Sequence, residues 1–273
     1  MKSVIAITFA SVLATSAQAA LYLQLKADDL ALSDGAEVTS WTDSASGNVF
    51  TNPGGSTTTP NYVADYNGSG KGAVNFAGAT DFLQDTTLAA TTPDTATMTV
   101  FIVGQFNAIG TGVDQYMIAA QNSAVDSGDN RLRLVERASD WRIRVGDGSN
   151  INSTGDIADT DHHVFTVVSG APLTNDARLL IANSEVLDGT HGVTANAANL
   201  NRLNLGGFDN NGTPKDFSNS MIAEIRIYDT AMSAAEITTV HNELAAFYAP
   251  VPEPSSAALL GLGGLALMMR RRK

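Results

Sequence analysis

In the stretch RLRLVERASDWRIRV, Arg131 and Arg133, and then Arg142 and Arg144, alternate with Leu132, Leu134, Ile143 and Val145. In extended backbone this alternation gathers arginines on one face of a hairpin and aliphatic side chains on the other. Guanidinium forks meet carboxylates or sulfates in matched pairs, so with Trp141 stacking nearby such a face suits an anion or an acidic sugar. The competing reading is a solvated outer face whose charges pair locally with Glu136, Asp140 and Asp147.

The other residues able to do chemistry are more scattered. Of the four histidines, His162 and His163 are adjacent and so face opposite sides of a strand, His191 lies in a loop and His241 on a helix. That spacing does not build a histidine-ligated zinc site. The loops DSGDN, GDGSN and GFDNNG carry the acids and amides that can wrap Ca2+, though none has EF-hand spacing and each also reads as a plain turn. GSGKG lacks the first glycine of a phosphate-binding loop. With no cysteine in the chain, thiol chemistry, thiolate metal sites and disulfide staples are all excluded.

The ends of the chain set the context for these residues. Lys2, an apolar run from Val4 to Leu13 and the small residues Ala17 and Ala19 read as a secretory signal peptide over residues 1–19. A body over residues 20–250 is large enough for one domain with its own core. With Lys2, Glu253 and Arg270 to Lys273 set aside, 11 basic and 27 acidic residues remain, a net charge of −16. A field of that sign repels nucleic acid and anionic lipid.

The elements that position the arginines are strands. From Leu21 to Tyr228 about eleven short runs rich in β-branched and aromatic residues, such as MTVFIVGQF, HVFTVVS and MIAEIRIY, are separated by Gly, Asn, Asp, Ser and Pro clusters. This spacing predicts an all-β sandwich or barrel. One helix is expected in SAAEITTVHNELAAFY, where Ser233 and Glu236 have capping-box spacing and Ile237, Val240, Leu244 and Phe247 share a face.

Four blocks of the body resemble those of a laminin G-like, concanavalin A-like domain. They are marked by Trp41 with Asp43, by Phe76 with Gly78, by Asp81 with Phe82 and Leu83, and by Met232 with Ser233 and Glu236. The resemblance implies a two-sheet antiparallel jelly-roll sandwich with a short C-terminal helix packed on it. It does not fix a function, since this fold serves lectins, glucanases, adhesion modules and spacers. The glucanases of this fold carry Glu-x-Asp-x-Glu on one strand. Here AEIRIYD offers Glu224, but Arg226 stands where the middle acid would be and no third carboxylate follows in phase, so Glu224 is expected to be structural.

After the body comes a tail over residues 251–273. Pro252, Glu253 and Pro254 precede an uncharged apolar stretch from Ser255 to Met269, and then Arg270, Arg271, Arg272 and Lys273. As a helix of about 15 residues that stretch reaches roughly 22 Å, short of a hydrocarbon core of about 30 Å. The basic cluster would hold its end on the cytoplasmic side. This order resembles the PEP-CTERM sorting signal of Gram-negative exported proteins, which implies an exosortase-type membrane peptidase as partner and membrane attachment before processing.

The resulting expectation is an exported, non-catalytic surface or matrix protein that binds glycan or another matrix polymer, with no nucleic-acid partner. The alternatives are a secreted glycan-active hydrolase with acids from scattered loops, and an envelope component with no ligand.

Overall fold

The computed structural model describes residues 19–55, 57–88, 97–121, 130–138, 140–145, 151–153, 158–170, 176–190, 202–210 and 212–252. Residues 1–18 of the signal peptide expected over 1–19, Glu253, Pro254 and the basic cluster lie outside these residues, as do the loops DSGDN and GDGSN but for the backbone of Asn130. Among the described residues no helix is long and apolar enough to cross a membrane.

Two antiparallel sheets face each other. The first runs in the order β14 (Ser184–Thr190), β13 (Asp176–Ile181), β12 (His163–Ser169), β7 (Thr99–Phe106), β18 (Asn219–Tyr228), β5 (Lys71–Ala77) and β4 (Asn61–Tyr66). On the β5 side of the ten-residue β18, β1 (Leu21–Lys26) pairs with the stretch from Glu224 to Tyr228 and β5 with that from Asn219 to Ile222. The second sheet runs β11 (Ile151–Asn152), β10 (Asp140–Val145), β9 (Asn130–Arg137), β8 (Gln115–Gln121), β15 (Arg202–Leu205), β6 (Leu83–Asp85), β3 (Val49–Thr51) and β2 (Ser40–Thr42). A separate hairpin of β16 (Phe208–Asn210) and β17 (Thr213–Lys215) follows β15.

The expected sandwich is therefore what forms, with more strands than the sequence pattern announces. The runs that are easily read are central: β7 and β12 are buried almost throughout because both their faces are covered. The strands that escape sequence reading include the edge strand β4, the edge strand β14 and the short β3, β6 and β11, where one face is polar or only two or three residues pair.

Between the sheets lies a core that includes Trp41, Phe50, Phe76, Phe106, Trp141 and Phe165. A second core seals the outer face of the first sheet. There the helix α1 (Ala234–Phe247) lays Ile237, Val240 and Leu244 over Phe101, Val103 and Tyr66, and Tyr248 follows them into the core. The helix begins where expected: the Ser233 side chain accepts from the Glu236 N–H while the Glu236 carboxylate accepts from the Ser233 N–H at 2.8 Å.

The residues that carry the family resemblance act as fasteners. Asp43 accepts hydrogen bonds from the Gln24 and Ala45 N–H groups at 2.7 and 2.8 Å, tying β1 to the turn after β2. Asp81 accepts from the Ala77 N–H at 2.7 Å and the Thr58 hydroxyl at 2.6 Å. Gly78 turns at φ 78°, and a Cβ there would stand 2.8 Å from the Asn219 Cβ, so only glycine fits between them.

Candidate functional site

The two outer faces of the sandwich differ. On the first sheet, Glu224, Arg226 and Tyr228 share the side that α1 covers. Glu224 is buried and accepts from Gln24 Nε2 at 2.8 Å, Arg226 Nε at 2.6 Å and the Tyr248 hydroxyl at 2.9 Å. Arg226 also donates to Glu243 at 3.0 Å. Burial works against the Arg226 charge, but its bonds to Glu243 and Glu224 outweigh burial and hold its pKa above the ordinary value. Both carboxylate oxygens of Glu224 thus accept hydrogen bonds beneath the helix end.

The outer face of the second sheet is polar, and its first half is the predicted hairpin of arginines. β9 and β10 do pair, with Arg144 directly opposite Arg133 and Arg142 opposite Val135. The arrangement nevertheless departs from the expected fork. Arg133 is only 8% exposed and donates from Nη1 to the Tyr116 hydroxyl at 2.9 Å, with its guanidinium 5.6 Å from the Tyr116 ring centroid. Burial pushes the Tyr116 phenol above its ordinary pKa, against the pull of Arg133. Arg142 is half-buried and reaches Asp114, which also holds Arg137 at 3.1 Å. The side chains of Arg131 and Arg144 lie outside the described residues.

Trp141 corrects the sequence expectation. It does not stack beside the arginines but sits in the inter-sheet core at 1% exposure, against Phe106 and Phe165 with ring centroids 5.4 and 5.1 Å away. The reason is parity: Trp141 is two residues from Ile143 along one strand, so both point inward.

The second half of this face gathers residues that no local pattern singles out. Gln84 on β6 donates from Nε2 to Asn204 on β15 at 2.7 Å and to Asp209 on β16 at 3.0 Å. Asn204 in turn donates to Gln121 on β8, whose Nε2 donates to the Asp209 carbonyl at 2.5 Å. Arg202 forms an ion pair with the Asp209 carboxylate, whose other oxygen accepts from the Gly212 N–H at 2.7 Å. Asp209 belongs to the loop GFDNNG considered for calcium. Both its oxygens are occupied by donors of the chain, and among the described residues no group of three or more metal-ligating side chains converges.

The hairpin β16–β17 closes over the middle of this face. Phe208 stacks on Tyr116 with centroids 5.2 Å apart and planes 21° apart, while Lys215 Nζ lies 5.2 Å from the Phe208 ring centroid on its own account. Beside the hairpin a depression of about 320 Å³ opens, walled by Pro53, Gly54 and Pro214 and floored by Gln84, Arg202 and Asp209. A larger one of about 390 Å³ lies along β2, but its carboxylates, Asp29 and Glu37, are exposed and have no hydrogen-bond partner among the described residues. The ordered polar groups of the outer face make it the better candidate.

Residues 105–238 match a laminin G-type family of the concanavalin A-like lectin/glucanases superfamily, and residues 250–273 match the PEP-CTERM protein-sorting motif. No curated protein matches the sequence. Among solved structures, Trypanosoma rangeli sialidase in complex with sialic acid superposes with a TM-score of 0.58 at 13% identity, over 83% of this chain and 33% of the sialidase chain. The botulinum neurotoxin serotype D ligand binding domain in complex with N-acetylneuraminic acid superposes with a TM-score of 0.53 at 8% identity, over 82% of this chain and 50% of that one. The chain thus spans a third to a half of the proteins it resembles, and at such identities the likeness is one of fold. The motif marks the chain for export and sorting to the cell envelope or surface. This chain is thus an antiparallel two-sheet sandwich matched over residues 105–238 by the concanavalin A-like lectin/glucanases superfamily, followed by a match to the PEP-CTERM sorting motif over residues 250–273.

Proposed function

We propose that this is an exported surface or matrix protein that binds glycan, without catalysis, through the outer face of its second sheet, and that an exosortase-type peptidase reads its tail. The observation that carries the reading is the depression lined by Gln84, Arg202 and Asp209, whose amide, guanidinium and carboxylate groups are held by one another and by the buried Asn204 and Gln121 beneath them. Sugars are recognised by fixed planar donors and acceptors of this kind, set in shallow surfaces. The first sheet offers no equivalent surface where α1 covers it. Likeness to two sialic-acid-bound folds supports the reading only at the level of fold. Export and membrane attachment through the tail would deliver such a face to polysaccharide outside the cell.

A glycan array probed with the purified protein tests this directly, run with and without calcium because residues of DSGDN and GDGSN remain candidate calcium loops. Retention of one glycan class is the expected result. If no glycan is retained in either condition, the protein is an envelope component without a sugar ligand.

A further inference from the structure

We infer that the depression between the Pro53–Gly54 loop and the β16–β17 hairpin is a subsite for the vicinal diol of a neutral sugar ring. This deepens the glycan-binding reading and rests on it. Arg202 spends only Nη1 on the chain, in its pair with Asp209; its second terminal nitrogen has no partner among the described residues, and its side chain is 18% exposed toward a depression it lines. Gln84 commits its amide N–H groups to Asn204 and Asp209, so its carbonyl oxygen accepts nothing from the described residues. One donor and one acceptor, each held rigid through its other bonds, match two neighbouring hydroxyls, each of which both donates and accepts.

The walls suit a sugar ring as well. Pro53 and Pro214 present carbon faces to its C–H groups. The Pro53–Gly54 wall is set in advance by Asn52, which accepts from the Gly54 N–H at 2.7 Å and donates to the Thr58 and Phe82 carbonyls at 2.5 and 3.2 Å.

Charge selects the neutral class. The Arg202 charge is cancelled in contact by Asp209, which is 4% exposed, so no net positive charge is left for a carboxylate or sulfate. The whole chain carries −12, which further repels acidic polymers. Of the four arginines that the sequence suggested for an anionic ligand, Arg133 is engaged by Tyr116 and Arg142 by Asp114.

The test measures affinity of the full chain, in mild detergent, for dextran and mannan against polygalacturonate and chondroitin sulfate. It is repeated with dextran and mannan whose vicinal diols have been cleaved by periodate and then reduced. Arg202→Lys keeps the charge opposite Asp209 but loses the forked donors. Pro53→Trp fills the depression from an exposed loop position that is not itself a member of the hydrogen-bonded network. Arg142→Lys serves as the control on the other half of the face, and melting curves verify that each variant folds. Expected are binding to a neutral polymer, its loss after periodate, a loss of about tenfold or more in both Arg202→Lys and Pro53→Trp, and little change in Arg142→Lys. Binding that survives periodate, or that stays within about twofold in both pocket variants, overturns the diol subsite and leaves glycan binding elsewhere on the face standing. Preference for the acidic polymers overturns it too, and binding to none of the four polymers overturns this subsite together with the reading beneath it.

Discussion

His162 shows how one side chain can set the response of the fold to acid. Its Nδ1 lies 2.8 Å from the Tyr66 hydroxyl, and burial, reinforced by the neighbouring His163, lowers its pKa to about 4. His163 in turn lies 2.6 Å from Asp159. A group whose folded pKa is depressed below its unfolded value of about 6.5 stabilises the fold fully above pH 6.5 and loses that contribution as the pH falls toward 4. Discounted for partial exposure, the loss is about 1–2 kcal/mol, or roughly 2–8 °C in melting temperature for a domain of this size. His162→Gln keeps a polar partner for Tyr66 but cannot be protonated. The melting temperature of this variant should therefore fall less between pH 7 and pH 4 than that of the wild type. Equal falls in the two proteins would mean that the acid response comes from the carboxylates alone.

The elements differ in how much of the whole they hold up, and the β16–β17 hairpin is the one most separable from the rest. Its anchor is Phe208, 3% exposed and packed in a cluster with Tyr116, Ala119 and Val135 that is distinct from both main cores. Phe208→Ala should cost about 3–4 kcal/mol of local contacts. Because that cluster is separate, the expected outcome is loss of amide-exchange protection over residues 208–215, with the strands of the first sheet still protected. If protection falls equally in β7 and β12, the hairpin is part of the cooperative core. The hairpin also shows where sequence reading ends. The capped helix and central strands such as β7 were legible because their apolar periods are strong, and the Trp41, Asp43 and Phe76 blocks resembled a known fold. Trp141 was legible too, from its parity with Ile143, had parity outweighed the lure of an aromatic beside arginines. Gln84, Arg202 and Asp209 were not, since amides and acids near turns look alike in any loop, and only the pairing of β6 with β15 brings position 84 beside position 204.

At the scale of the whole molecule, both ends of the sandwich are tied down, the second of them beside the sorting motif. Ala20 exchanges hydrogen bonds with Asp229, its N–H reaching the carboxylate at 2.9 Å and its carbonyl accepting from the Asp229 N–H at 3.1 Å. At the other end the Val251 N–H donates to the Gly68 carbonyl at 2.9 Å, and Asn67 donates to the Tyr248 carbonyl at 3.5 Å. The Pro-Glu-Pro of the sorting motif begins at the next residue, Pro252, and as extended chain it would span only about 10 Å before the apolar stretch that starts at Ser255. A tail held in the membrane would therefore keep the body at the bilayer surface, where its negative charge works against staying once the tail is gone. Two outcomes follow. In a host without the sorting peptidase the protein should be recovered with the membrane, ending at Lys273; in the native host, mass spectrometry should find a C-terminus close to Pro254. Because a cut there leaves Val251 on Gly68 and Tyr248 in its core, a chain ending at Pro254 should melt within about 2 °C of the full-length protein, a shift of under about 1 kcal/mol. A markedly lower melting temperature would mean that the tail is part of the fold it was expected only to address.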